Sequence, residues 1–121
     1  VDAVMAGTFS GIPTRWQVQC KNTPAARVGL DEVAKEVGLA ALTKATHIMM
    51  FATGGFSKDA RRYADAAMQA TPLTIYLFGQ EEFEQVLKTG GDLPHLIRKQ
   101  SDYIAELPRQ GIDWLKTAPK S

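Results

Sequence analysis

The chain is poor in the residues that build covalent cross-links and soft-metal sites. It has one cysteine and two histidines among 121 residues. A single cysteine excludes an internal disulfide framework and suits a reducing compartment, so we expect a cytoplasmic protein. His47 and His95 do not form a metal-ligand pair by spacing, which favours structural or surface roles for both. No apolar run approaches the ~20 residues of a membrane span, and we expect no membrane partner.

Excess charge is lacking as well, since the formal net charge is +1. A domain that grips nucleic acid by itself is usually more basic, because phosphate neutralisation supplies much of the affinity. Residues 1–63 carry eight Lys or Arg against five Asp or Glu, whereas residues 64–121 carry six against eight. We therefore expect additional domains or subunits to supply most of any such grip, and a homo-oligomer is possible. The chain starts without Met, in what resembles the middle of a strand, which indicates a fragment that lacks its upstream part.

The first 22 residues read as an antiparallel hairpin. Residues 1–6 form a short apolar strand that Gly7 stops, residues 8–14 are rich in turn formers, and residues 15–22 alternate in polarity. The alternation places Trp16, Val18 and Cys20 on one face and Gln17, Gln19 and Lys21 on the other. The apolar face, including Cys20, is expected to pack in the core.

Strands and helices alternate along the rest of the chain. We predict helices over 30–44, 58–70, 80–87, 93–107 and 110–116, and strands over 47–52 and 73–78. The apolar stripe of the first helix comprises Leu30, Ala34, Val37 and Ala41, widened by Val33 and Ala40. The strand over 47–52 is apolar throughout, as a strand buried on both faces should be. This order predicts an α/β fold in which a hairpin joins parallel strands in one mixed sheet sandwiched by helices.

The hairpin brings together residues suited to phosphodiester hydrolysis. That reaction needs a divalent metal to hold phosphate and activate water, and a cation to offset charge in the transition state. Asp2 and Gln19 offer side-chain oxygens to Mg²⁺, the backbone carbonyl of Cys20 could add another, and Lys21 emerges beside Gln19. Two plainer interpretations stay open: Asp2 is a polar strand end, or Gln19 and Lys21 form the solvated face of an edge strand.

The pattern of Asp, hairpin and Gln-x-Lys resembles the PD-(D/E)xK nuclease superfamily. The stretch Trp-Gln-Val-Gln-Cys-Lys at residues 16–21 is similar to its Mrr branch, in which Gln commonly replaces the acidic residue. Residues 51–60, the Arg-Arg-Tyr-Ala after them, and Leu-Phe-Gly-Gln-Glu-Glu-Phe at 77–83 agree, so the resemblance covers roughly residues 1–87. The chain departs from the pattern in two ways. Val1, rather than proline, precedes Asp2. Family members also often carry a glutamate on a helix before the first strand, and this sequence does not include that region.

This resemblance implies a restriction-endonuclease-like three-layer sandwich with a mixed central sheet. Residues 1–90 would be the catalytic domain without its N-terminal part, and residues 91–121 a helical extension and linker. The implied function is a metal-dependent DNA endonuclease domain of a bacterial restriction or anti-phage defence protein, in which Asp2, Gln19 and Lys21 are catalytic. Mg²⁺ would be its cofactor, and Mn²⁺ could substitute. The alternative is an inactive nuclease-fold module that binds nucleic acid or a partner protein.

A second candidate element lies where residues 53–56 turn into a helix. Ser57 looks like its N-cap, and Lys58 and Arg61 follow in the first turns. Free N–H groups at a helix start, with these side chains nearby, could hold a DNA phosphate. A merely capped helix is the plainer interpretation, and a nucleotide-binding loop is the weaker one because the P-loop spacing is absent. Nothing in the chain looks like a base-reading helix.

Overall fold

The computed structural model describes residues 3–9, 11–90 and 93–107. The elements in chain order are β1 (Ala3–Phe9), β2 (Ile12–Lys21), α1 (Leu30–Thr43), β3 (His47–Ala52), α2 (Lys58–Ala70), β4 (Thr74–Phe78), α3 (Gln80–Thr89) and α4 (Leu93–Glu106). Asp2 and the helix predicted over 110–116 lie outside the described residues, as does the side chain of His95.

The four strands form one mixed sheet in the order β1-β2-β3-β4. β1 and β2 pair antiparallel, whereas β2, β3 and β4 pair parallel. The hairpin joined to parallel strands is therefore confirmed. Two parallel crossovers in a row, through α1 and then α2, put both helices on one face of the sheet, where they pack against each other.

The hairpin is longer than its sequence suggests. β1 runs through Gly7 to Phe9, and the strand pairs continue until Phe9 faces Ile12. The turn predicted over 8–14 is therefore wrong, since residues 8, 9 and 12–14 lie in the two strands and Gly11, just before β2, has φ 79°. Cross-strand pairing outweighs the local turn preference of Gly and Pro here. Proline has no N–H to donate, and a strand tolerates it at a position where the ladder requires no donor.

The core lies between the sheet and the two helices α1 and α2. Its strand residues alternate along β3, whereas in β4 the four consecutive residues from Ile75 to Phe78 are all buried. Its helix residues lie on the inner faces of α1 and α2; among the core residues are Val33, Ala40, Ile48, Met50, Ala60, Ala64, Met68, Ile75 and Leu77. The inner face of α1 is rotated relative to the predicted stripe. Leu30 and Ala41 are exposed, and Glu36 is buried in their place.

The assignment of the core face of β2 is also wrong. Cys20 is exposed and Trp16 is half-buried, while Gln17 and Gln19 on the opposite face are 0% and 8% exposed. The reason is that Gln17 and Gln19 share their face with Ile48 and Met50, their partners on β3, so they lie under α1. The expectation that β3 is buried on both faces is also wrong. Its alternate residues are only half-buried, because α1 and α2 cover only the other face of the sheet.

α4 lies along the outer edge of β4. The Gln100 side chain donates to the backbone carbonyl of Leu77 (2.6 Å) and accepts from its N–H (3.1 Å). The Tyr76 hydroxyl is 2.9 Å from the Ser101 hydroxyl, and Ile104 is buried. The amide of Gln100 thus occupies hydrogen-bonding positions that a fifth strand would otherwise use.

Candidate functional site

Gln19 and Lys21 lie side by side at the carboxyl end of β2. The two-residue period puts both on the face covered by α1, Gln19 buried and Lys21 half-buried. Among the described residues, the buried Oε1 of Gln19 has no hydrogen-bond partner. An unpaired buried acceptor costs about 1–3 kcal/mol, so this oxygen suits a ligand that can satisfy it.

The backbone of Cys20 is aimed at the same region. The Lys21 carbonyl accepts from Thr53 on the β3 side at 3.1 Å. Because successive carbonyls of a strand point to opposite sides, the Cys20 carbonyl points toward the β1 side. The described residues contain no cluster of three His, Cys, Asp or Glu side chains that could hold a metal. The amide and the carbonyl of the predicted ligand set are oxygen donors, the type that a hard cation prefers, and the predicted carboxylate of Asp2 is outside the described residues.

A buried polar network beside the site was not anticipated from the sequence. The Gln17 Nε2 donates to Oε2 of Glu36 (2.7 Å) and to its backbone carbonyl (2.8 Å). The Thr43 hydroxyl donates to Oε1 of Gln17 at 2.8 Å. The network ties β2 to α1 two residues before Gln19. The sequence offers one signal for it: Glu36 follows Val33 by three residues and precedes Ala40 by four, so it shares their face of the helix.

The loop after β2 is held by the turn after β3. Val28 N–H donates to the Gly55 carbonyl, and Ser57 N–H donates to the Val28 carbonyl, both at 2.9 Å. A Cβ on Gly54 would lie 1.9 Å from the carbonyl oxygen of Ala26. Gly54 and Gly55 are both buried. The backbone of the turn is thus packed against the loop after β2. A phosphate-binding loop at these glycines is therefore not supported.

The predicted phosphate-binding residues occupy the first turns of α2. The Ser57 Oγ accepts from Ala60 N–H at 3.0 Å, which confirms the N-cap. Lys58 is exposed, and the first amides of a helix have no partner within it. Arg61 contacts both oxygens of Glu82 on α3, at 2.8 and 3.1 Å. Its charge is therefore already opposed by a carboxylate.

A cavity of about 430 Å³ lies between α2, α3, α4 and β4. Arg61, Met68, Gln100 and Tyr103 are among its lining residues, but neither Gln19 nor Lys21 is. The Tyr103 hydroxyl donates to Asp65 at 2.8 Å. This hydrogen bond raises the pKa of Tyr103 above its ordinary value of 10.0, with smaller contributions from burial and from the Asp65 charge. The cavity therefore lies apart from Gln19 and Lys21 and shares only Arg61 with the predicted phosphate-binding residues.

Comparisons with known proteins agree with this fold. The model of a restriction endonuclease family, the Mrr catalytic domain, matches residues 1–89. A search of curated proteins finds no match. Among solved structures, the chain is similar to the DNA modification-dependent restriction endonuclease AspBHI, with a TM-score of 0.50 and 15% identity. The match covers 84% of this chain and 26% of that protein, so the chain spans about a quarter of its length.

None of the described helices is long and apolar enough to cross a membrane. The structural match confirms the α/β, restriction-endonuclease-like fold with its mixed sheet and flanking helices. Because the family match covers residues 1–89 of 121, it includes Gln19, Lys21 and the start of α2. The chain therefore belongs to the Mrr-type restriction endonuclease catalytic-domain family.

Proposed function

We propose that this domain hydrolyses DNA phosphodiesters with Mg²⁺ as part of a bacterial restriction or anti-phage defence protein. The observation that carries the proposal is the buried, unpartnered Oε1 of Gln19 beside Lys21 at the end of β2. A buried oxygen acceptor next to a cationic side chain is the pairing that a metal-bound phosphate requires. Family membership supports the reaction class.

Each residue of the proposed site has a separate task. The described strand pairs end with Ala3 opposite Val18, one position before Gln19 on β2, and Asp2 precedes Ala3 in the sequence. Asp2, the Gln19 side chain and the Cys20 carbonyl would hold the ion, and Lys21 would bind the attacked phosphate and offset its growing negative charge. Mg²⁺, when bound, supplies Lewis-acid polarisation of the phosphate and lowers the pKa of water. Mn²⁺ is expected to substitute.

The start of α2 is the proposed contact for a neighbouring DNA phosphate. Lys58 is exposed there, and the first amides of the helix carry the positive end of its dipole. Ser57 still has a hydroxyl hydrogen to donate while its oxygen caps Ala60. Arg61 would contribute through its remaining N–H groups, because Glu82 opposes its charge. With a net charge of only +1, the domain relies on other domains or subunits for most of its DNA affinity and for specificity.

The test is nicking of supercoiled plasmid by the full-length protein in the presence of Mg²⁺. Lys21→Ala and Asp2→Ala should each abolish cleavage, whereas Lys35→Ala should leave it unchanged, because Lys35 is an exposed residue of α1 with no role in the proposed site. EDTA should stop cleavage by the unsubstituted protein. Undiminished cleavage by both site variants would sink the assignment.

One observation favours a second candidate, an inactive nuclease-fold module that binds nucleic acid or a partner protein. Gln19 stands where a carboxylate would strengthen metal binding, and no metal-binding cluster of His, Cys, Asp or Glu exists in residues 3–9, 11–90 and 93–107. This candidate predicts salt-sensitive DNA binding that EDTA does not affect. It also predicts that no Mg²⁺ or Mn²⁺ concentration supports cleavage by the full-length protein.

A further inference from the structure

Two threonines, one at each end of β3, donate hydrogen bonds to backbone carbonyls of β2. Thr46, just before β3, donates its N–H (2.8 Å) and its hydroxyl (3.2 Å) to the Arg15 carbonyl. Thr53, just after β3, does the same to the Lys21 carbonyl, with its N–H at 3.1 Å and its hydroxyl at 3.4 Å. The Thr53 hydroxyl also lies 3.3 Å from Oδ1 of Asn22. The Thr46 hydroxyl makes two further contacts: it accepts from the Arg15 N–H at 3.0 Å and lies 2.7 Å from Nδ1 of His47. A threonine thus bonds a β2 carbonyl with both its N–H and its hydroxyl at two places, one at the candidate site and one roughly 20 Å away along the strand.

We propose that Thr53 is a positioning residue for Lys21. This inference rests on the proposed function, because it assigns Thr53 a task only if Lys21 acts on the phosphate. Lys21 is the last residue of β2, and its pair with Ala52 is the last of the β2–β3 ladder. Beyond it the chain leaves the sheet, so no later ladder pair fixes the direction of the Lys21 side chain.

The Thr53 hydroxyl strengthens this exposed end of the ladder. It has one hydrogen, so it donates either to the Lys21 carbonyl or to Oδ1 of Asn22 at a given moment. The first bond restrains the peptide that follows Lys21, and the second restrains the side chain of the next residue. Displacing a catalytic group by about 1 Å can cost roughly 100-fold in rate. Loosening one hydroxyl contact while the Thr53 N–H bond remains should cost less, about tenfold.

The experiment compares Thr53→Val, Thr53→Ser and Thr46→Val in the full-length protein. Valine keeps the shape and the backbone N–H but removes the hydroxyl. Thr46→Val removes the hydroxyl at the other end of β3, which both donates to the Arg15 carbonyl and accepts from the Arg15 N–H. We expect Thr53→Val to lower kcat for plasmid cleavage about tenfold with KM unchanged. Thr53→Ser should retain the kcat of the unsubstituted protein. Thr46→Val should retain it too, although it loses more hydrogen bonds and its thermal unfolding midpoint should fall at least as far as that of Thr53→Val.

Every outcome decides the question. A Thr53→Val enzyme with unchanged kcat overturns the inference, and so does an equal loss in Thr46→Val, which would indicate general loosening of the sheet. If Thr53→Val does not fold, Thr53→Ala, which also removes the hydroxyl and keeps the N–H, decides instead: reduced kcat with unchanged KM supports the inference, and unchanged kcat overturns it. Full cleavage by Lys21→Ala would instead remove the proposed function on which the inference rests.

Discussion

Replacing Gln17 by leucine is expected to destabilise the domain although it puts an apolar residue at a position that is 0% exposed. The substitution removes the donor to Oε2 of Glu36 at 2.7 Å and to its carbonyl at 2.8 Å. It also removes the acceptor for the Thr43 hydroxyl at 2.8 Å. A hydrogen bond to a charged group contributes about 1.5–3 kcal/mol and each neutral one about 1 kcal/mol, so roughly 3–5 kcal/mol is lost.

Burial of the leucine side chain offsets part of this loss. A fully buried leucine contributes about 1.5–3 kcal/mol relative to an exposed one, which leaves a net destabilisation of about 2 kcal/mol. Gln17→Ala has a smaller apolar gain and leaves a cavity, so its cost should approach about 4 kcal/mol. The Gln17→Leu, Glu36→Leu double variant should recover part of the stability, because the buried acceptor is then gone as well.

The assay is urea unfolding followed by far-ultraviolet circular dichroism, with the midpoint read at an unchanged m-value. Gln69→Leu is the matched control: Gln69 is half-buried on α2, and its replacement should change stability by no more than about 0.5 kcal/mol. If Gln17→Leu proved as stable as the unsubstituted domain, the Gln17–Glu36 network would not be a determinant of the β2–α1 contact.

Two further predictions concern the turn after β3 and the contact of α4. Gly54→Ala places a Cβ 1.9 Å and 2.4 Å from carbonyl oxygens of the preceding loop, so it should cost at least about 2 kcal/mol in thermal unfolding. Gly38→Ala, which has no neighbour within 4 Å on α1, should not destabilise, and equal behaviour of the two would refute the packing of the turn. Tyr103 should titrate above its ordinary pKa of 10.0, and Asp65→Ala should bring its pKa back down in a phenolate absorbance titration. Since the folded-state pKa is the higher one, this contact stabilises fully below pH 10 and is lost as pH rises through the folded pKa; an unmoved titration in Asp65→Ala would contradict the assignment.

Elements with local signals could be predicted from the sequence, and elements set by distant partners could not. The bounds of β3 and α2 are those predicted, because an apolar run and the Ser57 cap are local features. The bounds of the hairpin depend on cross-strand pairs such as Gly7 with Thr14, which outweigh the preferences of single residues. The edge contact of Gln100 with Leu77 joins residues 23 positions apart and has no signature in either segment.

The same distinction explains the error at β2. Alternation assigned the two faces of β2 correctly, but the usual association of apolar with buried chose the wrong one. Which face lies inward is set by α1, whose Glu36 reaches Gln17 from 19 residues away. Failures of this kind are expected where function or a buried polar network overrides the local rule. Cys20 is exposed because it lies on the face of β2 that is opposite Gln17 and Gln19.

The two buried glutamines of β2 show how a structural amide differs from a proposed ligand on one strand face. Both are at least nine-tenths buried and both lie under α1. The amide of Gln17 has partners on both of its polar atoms, so any ligand would have to displace a bond of the fold. The Oε1 of Gln19 lacks a partner among the described residues, so a cation binding there would replace no protein bond and would relieve a desolvation cost of about 1–3 kcal/mol. Burial alone does not separate these roles. The unsatisfied acceptor beside Lys21 does, and for that reason the proposed centre is assigned to Gln19 rather than to Gln17.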